Sequence, residues 1–125
     1  MIKNDHKIII AGGRDFGDYD YLQRSMNSVI ANLCGNIQIV SGRARGADTL
    51  GEQYAKDNNL DLKVFPANWE KHGRSAGYIR NSEMANYANT LIAFWDGKSR
   101  GTKHMIDEAN RRGFYVEVFK YDNNS

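Results

Sequence analysis

The stretch "IIIAGGRDF", residues 8–16, decides how the rest of the chain reads. Three isoleucines and an alanine form a short apolar run of the kind that is buried on both faces of a parallel sheet. The run breaks at Gly12-Gly13 and delivers Arg14 and Asp15. Two readings fit: ordinary turn glycines, or a loop in which bare backbone meets an anionic ligand. Whether the pattern recurs along the chain decides between them.

It recurs twice. After the first strand, Lys7 to Ala11, a helix is expected over Asp18 to Leu33. There Leu22, Met26, Val29, Ile30 and Leu33 fall at helical spacing and Gly35 supplies a stop. A second strand, Ile37 to Val40, runs into "SGRARGAD" (41–48), and a helix follows from Ala47 to Asn58. Leu60 to Phe65 is the third strand. The connecting segment "ANWEKHGRSAG" leads to a helix through Ile79, Glu83 and Tyr87. The fourth strand, Thr90 to Trp95, runs into "WDGKSRGT" (95–102), with a helix from Thr102 to Arg112. Tyr115 to Phe119 is the fifth strand, and "YDNNS" reads as a polar tail. Strands alternating with helices imply right-handed crossovers and a covered parallel sheet. The expected fold is α/β, a Rossmann-like three-layer sandwich with a mainly parallel five-stranded sheet, one domain over residues 1–125. In such sheets ligands bind beyond the carboxyl ends of the strands, where strand order reverses. Here that places them near the loops after strands one, two and four.

The bulk numbers exclude more than they assign. The chain has 125 residues, 41% hydrophobic and 26% charged, an ordinary globular balance. A single cysteine, Cys34, rules out a disulfide within the chain. No apolar run reaches membrane-spanning length, and the N-terminus does not read as a signal peptide, so a cytoplasmic location and no membrane partner are expected. A net charge of +2 is too mild to announce a nucleic-acid partner.

Position matters more than net charge. Gly12, Gly13, Arg14 and Asp15 come from the first loop. Ser41, Gly42, Arg43, Gly46 and Asp48 come from the second, and Lys98, Ser99, Arg100, Gly101 and Thr102 from the third. Glycine admits a ligand to the backbone, helix N-termini offer N–H groups, and arginine grips phosphate in two-pronged fashion. Arg14, Arg43, Arg45, Lys98, Arg100 and Lys103 are therefore expected at one sheet edge. Neither a Walker A loop nor a Gly-x-Gly-x-x-Gly fingerprint is present. In "GYIRNSEMA" (77–85), Arg80 and Asn81 read either as a solvated helix face or as part of the site. Asp48 reads either as a first-turn acid suiting the helix dipole or as a ribose ligand. Trp69 and Trp95 could stack on a base or belong to core and rim.

Together, "GGRDF", "SGRARGADTLGEQYA", "RSAGYIRNSEMA" and "GKSRGTKHMIDEA" resemble the YspA-like family of the SLOG superfamily, over about Ile8 to Phe119. The superfamily also holds the LOG phosphoribohydrolases and the Rossmann-like domain of DprA. The resemblance implies a nucleotide or nucleotide derivative as ligand, sensed or sequestered. No cofactor is required, no metal is expected, and homo-oligomers occur among such proteins. Its alternatives are LOG-like cleavage of an N-glycosidic bond and DprA-like binding of single-stranded DNA. For the DNA reading, basic residues confined to loops suit a small ligand better than a polymer.

In LOG enzymes an arginine in Arg-Lys-x-x-Met and a glutamate in Gly-Gly-x-Gly-Thr-x-x-Glu carry catalysis. Arg80 with Met84 is similar to the first motif, and Gly101-Thr102 to the second, but Met105 stands where the glutamate would be. A thioether can neither hold negative charge nor relay a proton. Catalytic residues are thus unassigned, with Arg80 and Glu83 as candidates. Glu52, Glu108, Asp15 and Asp48 remain as further acids or bases.

Overall fold

The computed structural model describes residues 5–122, and Asn123, Asn124 and Ser125 of the expected polar tail lie outside them. Five strands form one parallel sheet: β1 (His6–Gly12), β2 (Ile37–Ser41), β3 (Asp61–Val64), β4 (Thr90–Trp95) and β5 (Tyr115–Lys120). Their order is β3-β2-β1-β4-β5. The helices are α1 (Tyr19–Ala31), α2 (Ala47–Asp57), α3 (Trp69–His72), α4 (Ala76–Tyr87) and α5 (Arg100–Arg111). This is the expected α/β three-layer architecture, and the strand order reverses between β1 and β4.

The apolar run of β1 explains the layering. Successive strand residues point to opposite faces. Ile8 and Ile10 join Leu22, Met26, Tyr54 and Phe94 in the core that covers α1 and α2. Ile9 and Ala11 join Met84, Leu91, Met105 and Ala109 in the core on the α4 and α5 side. Ile8, Ile9 and Ile10 are all buried. A strand covered on both faces needs no polar alternation, so three consecutive isoleucines fit. Each fully buried isoleucine side chain contributes about 2 kcal/mol of transfer free energy.

Three details depart from the sequence reading. First, β1 extends through Gly12, which pairs with Phe94 of β4. A Cβ there would lie 2.4 Å from the Phe94 carbonyl oxygen and 2.7 Å from the Ala47 Cβ, so Gly12 is set by close packing of β1 on β4 and α2. Second, the segment after Pro66 is not a plain connection. It holds α3 and a 3₁₀ turn, Gly73–Ser75, with Asn68 Oδ1 capping α3 by accepting from the Lys71 N–H at 3.1 Å. Third, Tyr121 is not part of a free polar tail. Its ring lies 4.8 Å from that of Phe16, and its hydroxyl donates to Asp15 Oδ1 at 2.8 Å.

Candidate functional site

Parallel strands send β1, β2 and β4 to the same sheet edge, so the three Gly/Arg loops meet there. Between them and the α3–α4 segment lies a cleft of about 500 Å³. Gly12, Gly13, Arg14 and Asp15 line it from the first loop, Ala44 and Asp48 from the second, and Asp96, Ser99, Gly101 and Thr102 from the third. Ala11, Trp69, Arg74, Gly77, Tyr78, Arg80, Asn81, Met84 and Met105 complete the wall.

The loops are locked together by backbone. The Ala47 N–H donates to the Gly13 carbonyl at 3.2 Å, and the Gly13 N–H to the Phe94 carbonyl at 3.3 Å. Gly46 takes a φ of 80°, and a Cβ on it would sit 2.1 Å from the Gly13 oxygen. Gly46 therefore joins loop to loop and lies outside the cleft lining. Gly101 differs: a Cβ there would meet nothing within 4 Å, so its backbone opens onto the cleft.

Arg80 and Asn81 are not a solvated helix face. Asn81 is buried, and its Nδ2 donates to the Gly101 carbonyl at 3.3 Å, with His104 Nδ1 at 3.2 Å. It thereby fastens α4 to the start of α5. Arg80 is half-buried, donates from Nε to Asn81 Oδ1 at 3.1 Å, and donates from Nη1 to the Gly42 carbonyl. A Cβ on Gly42 would fall 2.7 Å from Arg80 Nη1, so that glycine makes room for the guanidinium. Burial lowers the Arg80 pKa; the charge of Asp48 opposes this and the charge of Arg14 adds to it. The Asp48 charge has the larger of these two effects, so it already offsets the repulsion between the Arg80 and Arg14 guanidinium groups, and a bound anion would add to its attraction.

Asp48 sits in the first turn of α2 and is 5% exposed, so it is more than a surface charge on the helix dipole. Its Oδ2 accepts the Ala44 N–H at 3.2 Å. Burial pushes its carboxyl up to about 6, against the opposing pull of the Ala44 and Gly42 N–H groups and of Arg80. It can therefore carry or release a proton near neutral pH.

Several other sequence candidates lie elsewhere. Ser41 is buried and donates to Glu52 Oε2 at 2.7 Å, and Arg43 pairs with Glu52 Oε1 at 3.1 Å. Lys98 and Arg100 are exposed and outside the lining, and Lys103 pairs with Asp107 along α5. Glu83 is exposed on α4, also outside the lining. Glu108 is held by Arg111, Arg112 and Ser82, and these hydrogen bonds lower its carboxyl to about 2. Met105, 1% exposed, is part of the cleft wall. Trp95 donates from Nε1 to the Ser99 carbonyl at 3.1 Å and lies outside the cleft, whereas Trp69 is 51% exposed at its rim.

Sequence reasoning missed Arg74, Tyr78 and Asp96. Asp96 had a signal, since it directly follows a strand and its Oδ1 accepts the Lys98 and Ser99 N–H groups at 2.8 and 2.9 Å. Among the described residues no helix is long and apolar enough to cross a membrane. Nor is any group of three or more His, Cys, Asp or Glu placed to hold a metal ion.

Comparison with known proteins places the chain in a family. The model of the YspA, cpYpsA-related SLOG family matches residues 6–72, which carry the first two Gly/Arg loops and α3. The Gene 61 protein of Mycobacterium phage D29 is 31% identical over 119 residues, spanning 90% of this chain and 95% of the relative. No solved structure gives a significant match. With over half of the chain under the family model and a full-length relative, this chain belongs to the YspA, cpYpsA-related SLOG family.

Proposed function

We propose that the chain binds a nucleotide or nucleotide-derived small molecule in the cleft between β1 and β4, to sense or sequester it. The observation that carries this reading is the convergence of three arginines on the cleft lining. Arg80, held by the Gly42 carbonyl, lines the cleft with Arg14 and Arg74. Asp48 already attracts Arg80, and an anionic ligand would join the three arginines on the lining, since guanidinium groups match phosphate oxygens. Trp69 and Tyr78 at the rim supply planar surface for a base, and Asp48 or Asp96 can accept from sugar hydroxyls. Membership of a SLOG family supports the same ligand class.

A second reading follows from Asp48. It is a buried cleft carboxyl with a pKa near 6, the kind of group that N-glycosidic cleavage needs and Met105 cannot supply. Calorimetric titration with adenine, guanine, cytosine and uracil monophosphates tests binding, and chromatography of the same mixtures tests cleavage. Binding with intact nucleotide recovered supports sensing or sequestration. Free base released by the wild type but not by Asp48→Asn supports the enzyme. Absence of binding by every nucleotide tried would sink both.

A further inference from the structure

Next to the cleft is a second concavity of about 570 Å³. It lies over the β2–α2 loop and the segment after β3. It shares Arg14, Ala44, Trp69 and Arg80 with the cleft and adds Arg43 and Arg45. The two hollows differ in charge. The cleft mixes three arginines with Asp15, Asp48 and Asp96, whereas the annex is lined by four arginines and no carboxylate. Among the described residues, Arg14 and Arg45 make no ion pair. Arg43 is held toward Glu52 at 3.1 Å.

Arg43 also has a φ of 55°, a left-handed backbone that side-chain-bearing residues adopt only at a cost. Such strain persists where surrounding contacts enforce it. Here Ser41 Oγ accepts the Arg43 N–H at 3.1 Å, and Gly42 leaves space for Arg80 directly beneath. The loop is thus bent so that Arg43, Arg45 and Arg80 share one hollow.

Resting on the reading that the cleft takes a nucleotide, we infer that its ligand carries a chain of two or more phosphates. The base and sugar occupy the mixed-charge cleft beside Trp69, Asp48 and Asp96. The phosphate chain crosses the wall formed by Arg14 and Arg80 and ends in the annex against Arg43 and Arg45. A single phosphate between Arg14 and Arg80 leaves Arg45 without a counter-charge, since Arg43 already has Glu52. The ligand class is a nucleoside polyphosphate, or a dinucleotide joined through pyrophosphate.

The test is the ratio of diphosphate to monophosphate affinity, measured by calorimetry for AMP and ADP and for the guanine, cytosine and uracil pairs. In the wild type the ratio should be tenfold or more for the preferred base, since one added charge-assisted phosphate contact gives about ten- to hundredfold. In Arg45→Ala the ratio should fall toward one, and in Arg45→Lys part of it should return. Arg45 is exposed, so folding is not at stake. Equal affinity for mono- and diphosphates in the wild type overturns the annex while leaving nucleotide binding intact. A ratio that survives Arg45→Ala also overturns it. Binding of a single-stranded oligonucleotide more tightly than any diphosphate would assign the annex to a polymer instead. Absence of any binding overturns both readings.

Discussion

Replacing Asp48 by asparagine should change how stability depends on pH, and the size of the change follows from the site. Burial raises the folded carboxyl from 3.8 to about 6. At about 1.4 kcal/mol per unit, that shift of about 2 units corresponds to about 3 kcal/mol between low and neutral pH. The sign is fixed by proton counting. Between about pH 4 and pH 6 the folded state keeps a proton that the unfolded chain has released. The stabilisation from this group is therefore complete below about pH 4 and is lost as pH rises through about 6. Asparagine has no such titration. It can still accept the Ala44 N–H, though its amide nitrogen meets other donors, so a constant offset is expected at every pH. The diagnostic is the shape of the difference. Urea unfolding of wild type and Asp48→Asn at pH 4, 5, 6 and 7 should give a stability gap that shifts by about 3 kcal/mol in favour of the variant across that range. A gap constant to about 0.5 kcal/mol from pH 4 to 7 would refute the claim that Asp48 is buried and raised.

Other predictions rest on separate contacts. Gly12→Ala forces a methyl against the Phe94 carbonyl and Ala47; overpacking of this kind should cost about 1–3 kcal/mol in urea denaturation. Gly101→Ala meets open space in the first turn of α5, so stability should hold or rise by up to about 1 kcal/mol, while nucleotide affinity in the same calorimeter falls. Arg80→Ala should weaken nucleotide binding about ten- to hundredfold, and an unchanged Kd would remove Arg80 from the site. Glu108→Gln should be less stable than wild type above about pH 5. Because pairing lowers Glu108 to about 2, this gap should close as pH falls through the range from about 4.5 to 2, read by circular dichroism.

Much of this was legible in the sequence because it is local. Apolar runs such as Ile8–Ala11 and Thr90–Trp95 fix strands, and the chain order of strands and helices fixes a parallel sheet whose carboxyl ends share one edge. That alone places Gly12, Arg14, Asp48 and Gly101 near one another. What the sequence left open depends on contacts between distant residues. Whether Arg80 faces solvent or the cleft turns on Gly42, 38 positions away. The fate of Glu108 turns on its helical neighbours Arg111 and Arg112, both also explicable as a charged surface. Tyr121 looked like tail because its partners, Phe16 and Asp15, lie over a hundred residues earlier. The α3 turn was missed because "NWEKHG" has no apolar periodicity, although Asn68 after Pro66 is a capping signal.

Amide NMR reads directly whether a nucleotide sits at the β1–β4 switch point. The backbone N–H signals of a labelled sample would be followed while mono- and diphosphates of the four common bases are added in turn. At least one nucleotide should shift Gly12, Gly13, Asp48, Gly101 and Thr102 together, and Arg80→Ala should weaken the response. Shifts confined to residues away from that sheet edge, or none with any nucleotide, would contradict it.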